Sequence, residues 1–361
     1  MNPQQLQLAR RRLLLGITNV GCWVSLAAIG LLWLSNANPG SLNLGSLGWI
    51  LGAAVAVQAG FDLIGGTLLM PEPQRRKMDS LRHSLRGILA HSLVLIGTAV
   101  LSAASFRLTG GFCSALFLGT LGLALGRRHL LRAVAGVSTR DFRHHTGMLL
   151  AADTTDPAFT GGLVGLGRNA TSVVPANWLD TLPPHELDAE LSRREWQRQD
   201  RLPLRTWILL VGWNLLGGSV GSLVFNLDGR STAEALFGHA CCMTLWAFIG
   251  LLVLPVLSRK AVFAADRAAA HAGCDPRSWI LRFPERVGED GSSRTAVQAI
   301  FYPIPSAALR LRQLEQPESG FVLGPLARSN LYYSWATLTL LGRAVHCNVG
   351  RPALWVFPPS A

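Results

Sequence analysis

The chain has 361 residues, of which 49% are apolar and only 15% are charged, and its mean hydropathy is +0.30. This balance excludes an ordinary soluble domain, in which about a quarter of the residues are charged. The formal net charge is +12, but no basic patch interleaved with aromatic residues stands out, so we expect no nucleic-acid partner. Anionic membrane lipid is the partner that the positive charge favours.

Six apolar stretches are long enough to cross a bilayer, which takes about 20 residues. All contain scattered Gly, Ala and Ser, the small residues that let membrane helices pack closely. Arg10–Arg12 precede the first stretch, as in a signal peptide, but its apolar part is too long and no clear cleavage site follows. We therefore interpret it as a membrane anchor. The six predicted spans are Leu13–Leu34, Leu47–Met70, Ile88–Phe106, Gly111–Leu131, Trp207–Phe225 and Ala233–Leu257.

Basic residues lie in alternate loops and so predict the orientation of the spans. They cluster before the first span, between the second and third, after the fourth and after the sixth. The opposite connections, Ser35–Ser46, Arg107–Gly110 and Asn226–Thr232, are short and nearly uncharged. By the positive-inside rule, both termini and all sizeable polar segments are expected in the cytoplasm.

The polar segments divide the chain into five predicted regions. Residues 1–132 form a four-span membrane region and residues 206–257 a two-span hairpin. Residues 133–205 and 258–315 are each too short for a comfortable domain, so we expect them to fold together on the cytoplasmic side. Residues 316–361 form a C-terminal extension. Its apolar stretch Leu331–Val345 is too short to span a bilayer, which predicts a packing helix.

Four sequence blocks carry a resemblance to a known family. In chain order they are Asp156–Ala170 with Ser172–Pro175, Glu186–Ala189, Ser258–Ala269, and Ile300–Ser306 with Arg310–Leu314. Two apolar spans separate the second block from the third. This organisation resembles the HtpX and CAAX prenyl endopeptidases, which are integral-membrane zinc metallopeptidases. The resemblance implies a mainly α integral membrane protein of the bacterial inner membrane, with a cytoplasmic α+β, zincin-like domain and a small sheet.

The family resemblance also implies an H-E-x-x-H helix, in which two His one turn apart grip zinc and the Glu activates water. The best match here is Arg194-Glu195-Trp196-Gln197-Arg198, in which Glu195 is retained and Arg194 and Arg198 stand at the ligand positions. An ungapped alignment instead places Arg193 and Gln197 at the ligand positions. Both alignments lack both His, and arginine cannot coordinate zinc.

The other motif positions agree with this loss. The resemblance places Val262 at the third ligand position and Ile304 at a His, whereas Asp266 and Arg310 are retained. We therefore predict no metal and no cofactor, and a catalytically inactive pseudopeptidase that acts as a scaffold or regulator. The alternative is an active zinc metalloendopeptidase with a rebuilt metal site, in which Glu195 is the general base that polarises a zinc-bound water.

A rebuilt site needs other ligands, and four His lie in the segments predicted to be cytoplasmic: His144, His145, His185 and His271. Two adjacent His cannot face one point in a helix, so we do not expect a zinc site from them.

The arginines of the predicted helix could replace a metal ion. Two guanidinium groups can fill the space of a divalent ion and pair with carboxylates. We expect Arg194 in such a network, with Glu195 and Asp200 as the nearby carboxylates, and Arg193 on a solvated face. The resemblance makes Ser172–Pro175 an edge strand, which could bind a protein or peptide partner by strand addition.

Overall fold

The computed structural model describes residues 3–69, 77–108, 112–289, 302–316, 322 and 325–359. Arg75 and Arg76 of the second basic cluster, and Ile300 and Phe301 of the fourth motif block, lie outside these residues. Within the described residues, five helices are long and apolar enough to cross a membrane: Pro3–Asn36, Leu44–Leu68, Asp79–Phe106, Leu202–Val224 and Thr232–His271.

The helices before the C-terminal segment fall into two groups around a small sheet. The first group precedes the sheet: α1 (Pro3–Asn36), α2 (Leu44–Leu63, continued by a π-helical turn, Ile64–Leu68), α3 (Lys77–Leu108) and α4 (Cys113–Ala135). The second follows it: α5 (Trp178–Thr181), α6 (Pro184–Gln199), α7 (Leu202–Val224), α8 (Thr232–His271), α9 (Arg277–Val287) and α10 (Ala307–Leu314).

The fourth predicted span coincides with α4, which is not one of the five membrane-length apolar helices. Its C-terminal turns carry Arg127, Arg128 and Arg132, which lower its mean hydropathy. A total of six spans therefore stays a prediction.

Local sequence signals set several helix ends. Ser231 and Glu234 form a capping box at the start of α8, each side chain bonding the other residue's backbone N–H. Pro184 occupies the first turn of α6, where its missing N–H costs nothing. Gly136 ends α4 in the left-handed region, with φ of 67°. These signals set the start of α8, the start of α6 and the end of α4.

The sheet has four strands in the order β1-β2-β4-β3: β1 (Ser138–His144), β2 (Gly147–Asp153), β3 (Gly162–Val164) and β4 (Thr171–Pro175). β4 pairs in parallel with β2 and antiparallel with β3. The prediction of an edge strand at Ser172–Pro175 is therefore wrong, because β3 pairs with its outer side. Gly161 makes this pairing possible, since a Cβ there would lie 1.9 Å from the carbonyl oxygen of Val173.

The C-terminal segment, residues 325–359, is nearly all buried. It is not the single packing helix predicted over Leu331–Val345. It forms α11 (Ser329–Tyr333), a 3₁₀ turn (Ser334–Thr337), α12 (Leu341–Ala344) and α13 (Pro352–Val356). Leu338 adopts a left-handed conformation between these pieces, with φ of 61°. Packing against the surrounding helices, rather than local helix propensity, sets its shape.

This segment enters the helix bundle and returns on the same side. Leu338 packs near Leu34 and Phe112, which lie at the ends of α1 and α4 farthest from the sheet. At the segment's own ends, Arg328 Nη1 donates to the carbonyl oxygen of Pro359 at 3.1 Å, and Arg351 pairs with Asp156 beside the sheet. The segment is thus a re-entrant loop enclosed by helices.

Candidate functional site on helix α6

The inner face of α6 is charged and buried. Glu190, Arg193, Arg194 and Gln197 are all buried, and residues three or four apart share one face of a helix. The side chain of Arg193 is only 1% exposed. Because buried charges are costly unless they are paired, the partners of these side chains decide what the face does.

Arg193 connects α6 to α8. Its guanidinium group pairs with Glu190 one turn earlier, and its Nε lies 2.8 Å from Oδ1 of Asp266 on α8. Burial alone lowers the pKa of Arg193, but Asp266 and Glu190 more than offset this, so the pKa is raised. Arg193 is therefore held as a cation, and the prediction of a solvated face for it is wrong.

Asp266 is shared by two arginines. Besides Arg193, it accepts two hydrogen bonds from Arg310 of α10, Nε–Oδ2 at 2.8 Å and Nη2–Oδ1 at 2.7 Å. This two-bond geometry is the strongest that an arginine makes with a carboxylate. One buried carboxylate thus joins α6, α8 and α10.

Arg194 fastens α6 to the sheet. Its Nε donates to Oε1 of Glu190 at 2.8 Å. Its other nitrogens donate to the carbonyl oxygens of Val173 on β4 and of Thr160 before β3, each at 2.6 Å. Arg194 therefore pairs with a carboxylate as predicted, but the carboxylate is Glu190 and not Glu195 or Asp200.

Glu195 and Arg198 lie on the opposite, half-exposed face. Arg198 Nη2 donates to Oε1 of Glu195 at 2.6 Å, and Gln199 donates to the same oxygen at 2.7 Å. The hydrogen bonds from Arg198 hold the pKa of Glu195 below its usual value, although partial burial acts in the opposite direction. A carboxylate held in this way is a weak general base.

The other motif positions lie with the inner face. Val262 is one helical turn before Asp266 and is buried, as is Ile304, and both belong to the core cluster that contains Leu187 and Leu191 of α6. The structure therefore places Asp266 and Arg310 at Arg193 and puts Val262 and Ile304 in the same core as α6, and it leaves Glu195 and Arg198 outside. The buried face corresponds to the ungapped alignment.

The groove between the edge strand β3 and α6 is occupied by the chain itself. Arg127 of α4 donates to the carbonyl oxygen of Leu163 on β3 at 3.2 Å and, twice, to that of Val356 on α13 at 3.1 and 2.9 Å. Phe357 packs edge-on against Phe159, which precedes β3, at 5.9 Å between ring centroids. A small cavity at this place is lined by residues that include Gly162, Leu163, Glu190, Arg194, Ala327 and Pro358.

A separate group of potential ligands lies at the β1–β2 turn. Among the described residues, one group of three His, Cys, Asp or Glu side chains has the proximity that a metal ion needs: His144, His145 and Asp188, whose ligand atoms lie within 4.8 Å of one another. The two His lie at a hairpin turn, so the argument from helix geometry does not apply to them. Sequence reasoning considered both His but missed Asp188 as their neighbour, because their local conformation was not predicted.

No family model matches this chain, and no curated protein or solved structure matches it either. The likeness to the HtpX-type peptidases therefore rests on the four motif blocks. In the structure, helices α6, α8 and α10, which carry the last three blocks, meet at Asp266.

Proposed function

We propose that this protein is an inner-membrane pseudopeptidase of the HtpX type, with six spans and both termini in the cytoplasm, which acts as a scaffold or regulator. The observation that carries the proposal is the buried ion network centred on Asp266. It lies where three motif-bearing helices meet. The resemblance expects zinc ligands at Val262 and at two positions of α6, which are Arg194 and Arg198 in the best match and Arg193 and Gln197 in the ungapped alignment.

The network disfavours zinc at that place on physical grounds. Arginine has no lone pair to offer a metal, and valine has no donor atom. The two carboxylates, Glu190 and Asp266, are already neutralised by arginines. A divalent cation placed beside buried guanidinium groups would meet strong repulsion, because charges interact strongly at low dielectric. In this proposal Arg193 and Arg310 hold α6, α8 and α10 together, as zinc ligands would in an active peptidase.

Two further contacts favour a non-catalytic role. Glu195, the general base that the active-peptidase alternative requires, lies on the outer face and is paired with Arg198. Val356 and Phe357 lie beside the edge strand β3, where a peptide substrate would add as a further strand. A partner is therefore expected on the exposed cytoplasmic surface and not in this groove.

The first test measures zinc and proteolysis in the full chain, purified in detergent with a tag that contains no His. The Asp188→Asn variant is used so that zinc at the β1–β2 turn does not contribute. We expect less than a tenth of a zinc ion per chain and no cleavage of a casein or membrane-protein substrate. One zinc ion per chain in this variant, together with proteolysis, would overturn the proposal.

The second test locates the partner. A photo-crosslinking residue is placed at Asp180, which is exposed on α5, and in a matched variant at Leu223, which is 82% exposed on the apolar helix α7. We expect a discrete protein adduct from position 180 and lipid adducts from position 223. Protein adducts only from position 223 contradict a cytoplasmic scaffold and indicate association through the spans.

A further inference from the structure

The β1–β2 hairpin brings two histidine rings to the side of α6. β1 ends at His144 and β2 begins at Gly147, so the chain reverses direction immediately after His144. The rings of His144 and His145 lie 4.0 Å apart between centroids. Asp188, in the second turn of α6, faces both of them. Three potential ligands therefore converge from two separate elements.

The donor atoms have nearly the spacing of a metal site. Two ligands about 2.1 Å from a tetrahedral zinc ion are about 3.4 Å apart. The Nε2 of His145 lies 3.3 Å from Oδ1 of Asp188, and the Nε2 of His144 lies 4.0 Å from the same oxygen. The ligand atoms of all three residues lie within 4.8 Å of one another, so a side-chain adjustment brings every pair to the zinc spacing. His145 is 67% exposed, so an ion can reach the group from solvent.

Thr146 contacts the second ring nitrogen of His144. The Nδ1 atom lies 3.0 Å from Oγ1 of Thr146 and accepts from the backbone N–H of Thr146 at 3.4 Å. Metal binding at Nε2 requires the tautomer with the proton on Nδ1, which then donates to the Thr146 hydroxyl, and such a partner orients metal-binding histidines.

We propose that His144, His145 and Asp188 bind one divalent transition-metal ion, with zinc as the best match and a water molecule as the fourth ligand. Two imidazoles and one carboxylate are a donor set that zinc accepts, and imidazole also suits copper and nickel. The ion ties the hairpin to the outer face of α6. This site is separate from the inner face of the helix and does not depend on the pseudopeptidase proposal.

The test is a calorimetric titration of zinc chloride into the detergent-purified full chain, carrying a tag without His. We expect one ion per chain, and at least a tenfold weaker affinity in His145→Ala and in Asp188→Asn. His185→Ala is the matched control, because His185 is an exposed histidine on the same helix, three residues before Asp188. Cobalt replaces zinc in a second measurement, where tetrahedral coordination gives strong visible absorption.

The outcomes separate this site from the former peptidase site. Equal unfolding midpoints of parent and variants without metal establish that the variants fold. Failure of the parent to bind zinc, or an unchanged affinity in Asp188→Asn, overturns the metal site. Zinc that remains in Asp188→Asn and supports proteolysis contradicts the pseudopeptidase proposal instead.

Discussion

The two faces of α6 carry the same kinds of side chain in opposite environments. On the inner face, Arg193 is fully buried and shares Asp266 with a second arginine. On the outer face, Glu195 and Arg198 are more than a third exposed and pair with each other. Removing one partner of a buried ion pair costs about 3–5 kcal/mol, whereas an exposed pair contributes about 0–1 kcal/mol. Residue type alone therefore says little about what a charge on this helix does.

The two faces also differ in whether their charged groups are free to bind a ligand. The charges of the inner face pair with one another and hold α6 to α8, α10 and the sheet. The outer face keeps Asp188 beside two histidines and open to solvent. We expect the inner face to respond to mutation by loss of stability and the outer face by loss of ligand binding.

The largest effect is expected from Asp266→Asn. Without this carboxylate, Arg193 and Arg310 each lose a buried partner, and the loss should be about 3–5 kcal/mol. Thermal unfolding in detergent and the yield of folded protein measure it. Asp275→Asn is the control, because Asp275 pairs with Arg277 at an exposed position, where both side chains are about 60% exposed. Equal midpoints for the two variants would show that the buried network contributes little.

Replacing the network with apolar groups should restore what Asp266→Asn loses. The triple variant Arg193→Met, Asp266→Leu, Arg310→Met removes the three charges that meet at Asp266 and fills a similar volume, while Glu190 keeps its ion pair with Arg194. Such exchanges are often neutral or stabilising by about 1–4 kcal/mol. We expect an unfolding midpoint at or above that of the parent, with the partner crosslink from position 180 retained. A triple variant less stable than Asp266→Asn would mean that the arginines do more than hold the helices.

The sequence predicted the features that depend on local composition. All five membrane-length helices overlap predicted spans, because the length of an apolar stretch can be read directly from the sequence. The burial of Val262 and Ile304 also agrees with their apolar character. The partner of Arg193 was missed because Asp266 lies far along the chain, and the inner position of Ser172–Pro175 was missed because strand order depends on long-range pairing.

The C-terminal segment illustrates the same limit. Leu331–Val345 has the composition of a helix, yet it is broken into short turns. Polar anchors fix that shape: Arg343 pairs with Asp62 of α2 and bonds the ring of His91 on α3, and Arg12 of α1 donates to the carbonyl oxygen of Val349 at 2.8 Å. These partners belong to three helices that are distant in the sequence, so no local sequence pattern predicts the contacts.

Zinc should stabilise the outer face by an intermediate amount. A ligand that binds only the folded chain adds about 2.7 kcal/mol at a hundred times its dissociation constant. We expect saturating zinc to raise the unfolding midpoint of the parent by several degrees and to leave that of Asp188→Asn unchanged. Addition of a chelator should reverse the shift. An equal shift in both proteins would place the zinc elsewhere.

The smallest effect is expected from Glu195→Gln, and its size decides between the two readings of α6. As an exposed ion pair, Glu195–Arg198 should contribute no more than about 1 kcal/mol, and less at high salt. The lowered pKa of Glu195 means that this contribution is present above the usual glutamate pKa and is lost as pH falls through the lowered value. The variant should therefore match the parent in unfolding midpoint and in partner crosslinking at neutral pH. If Glu195 is instead the general base of an active peptidase, the same substitution abolishes cleavage while the unfolding midpoint stays unchanged. Cleavage assays on the parent and on Glu195→Gln therefore distinguish a scaffold from an enzyme.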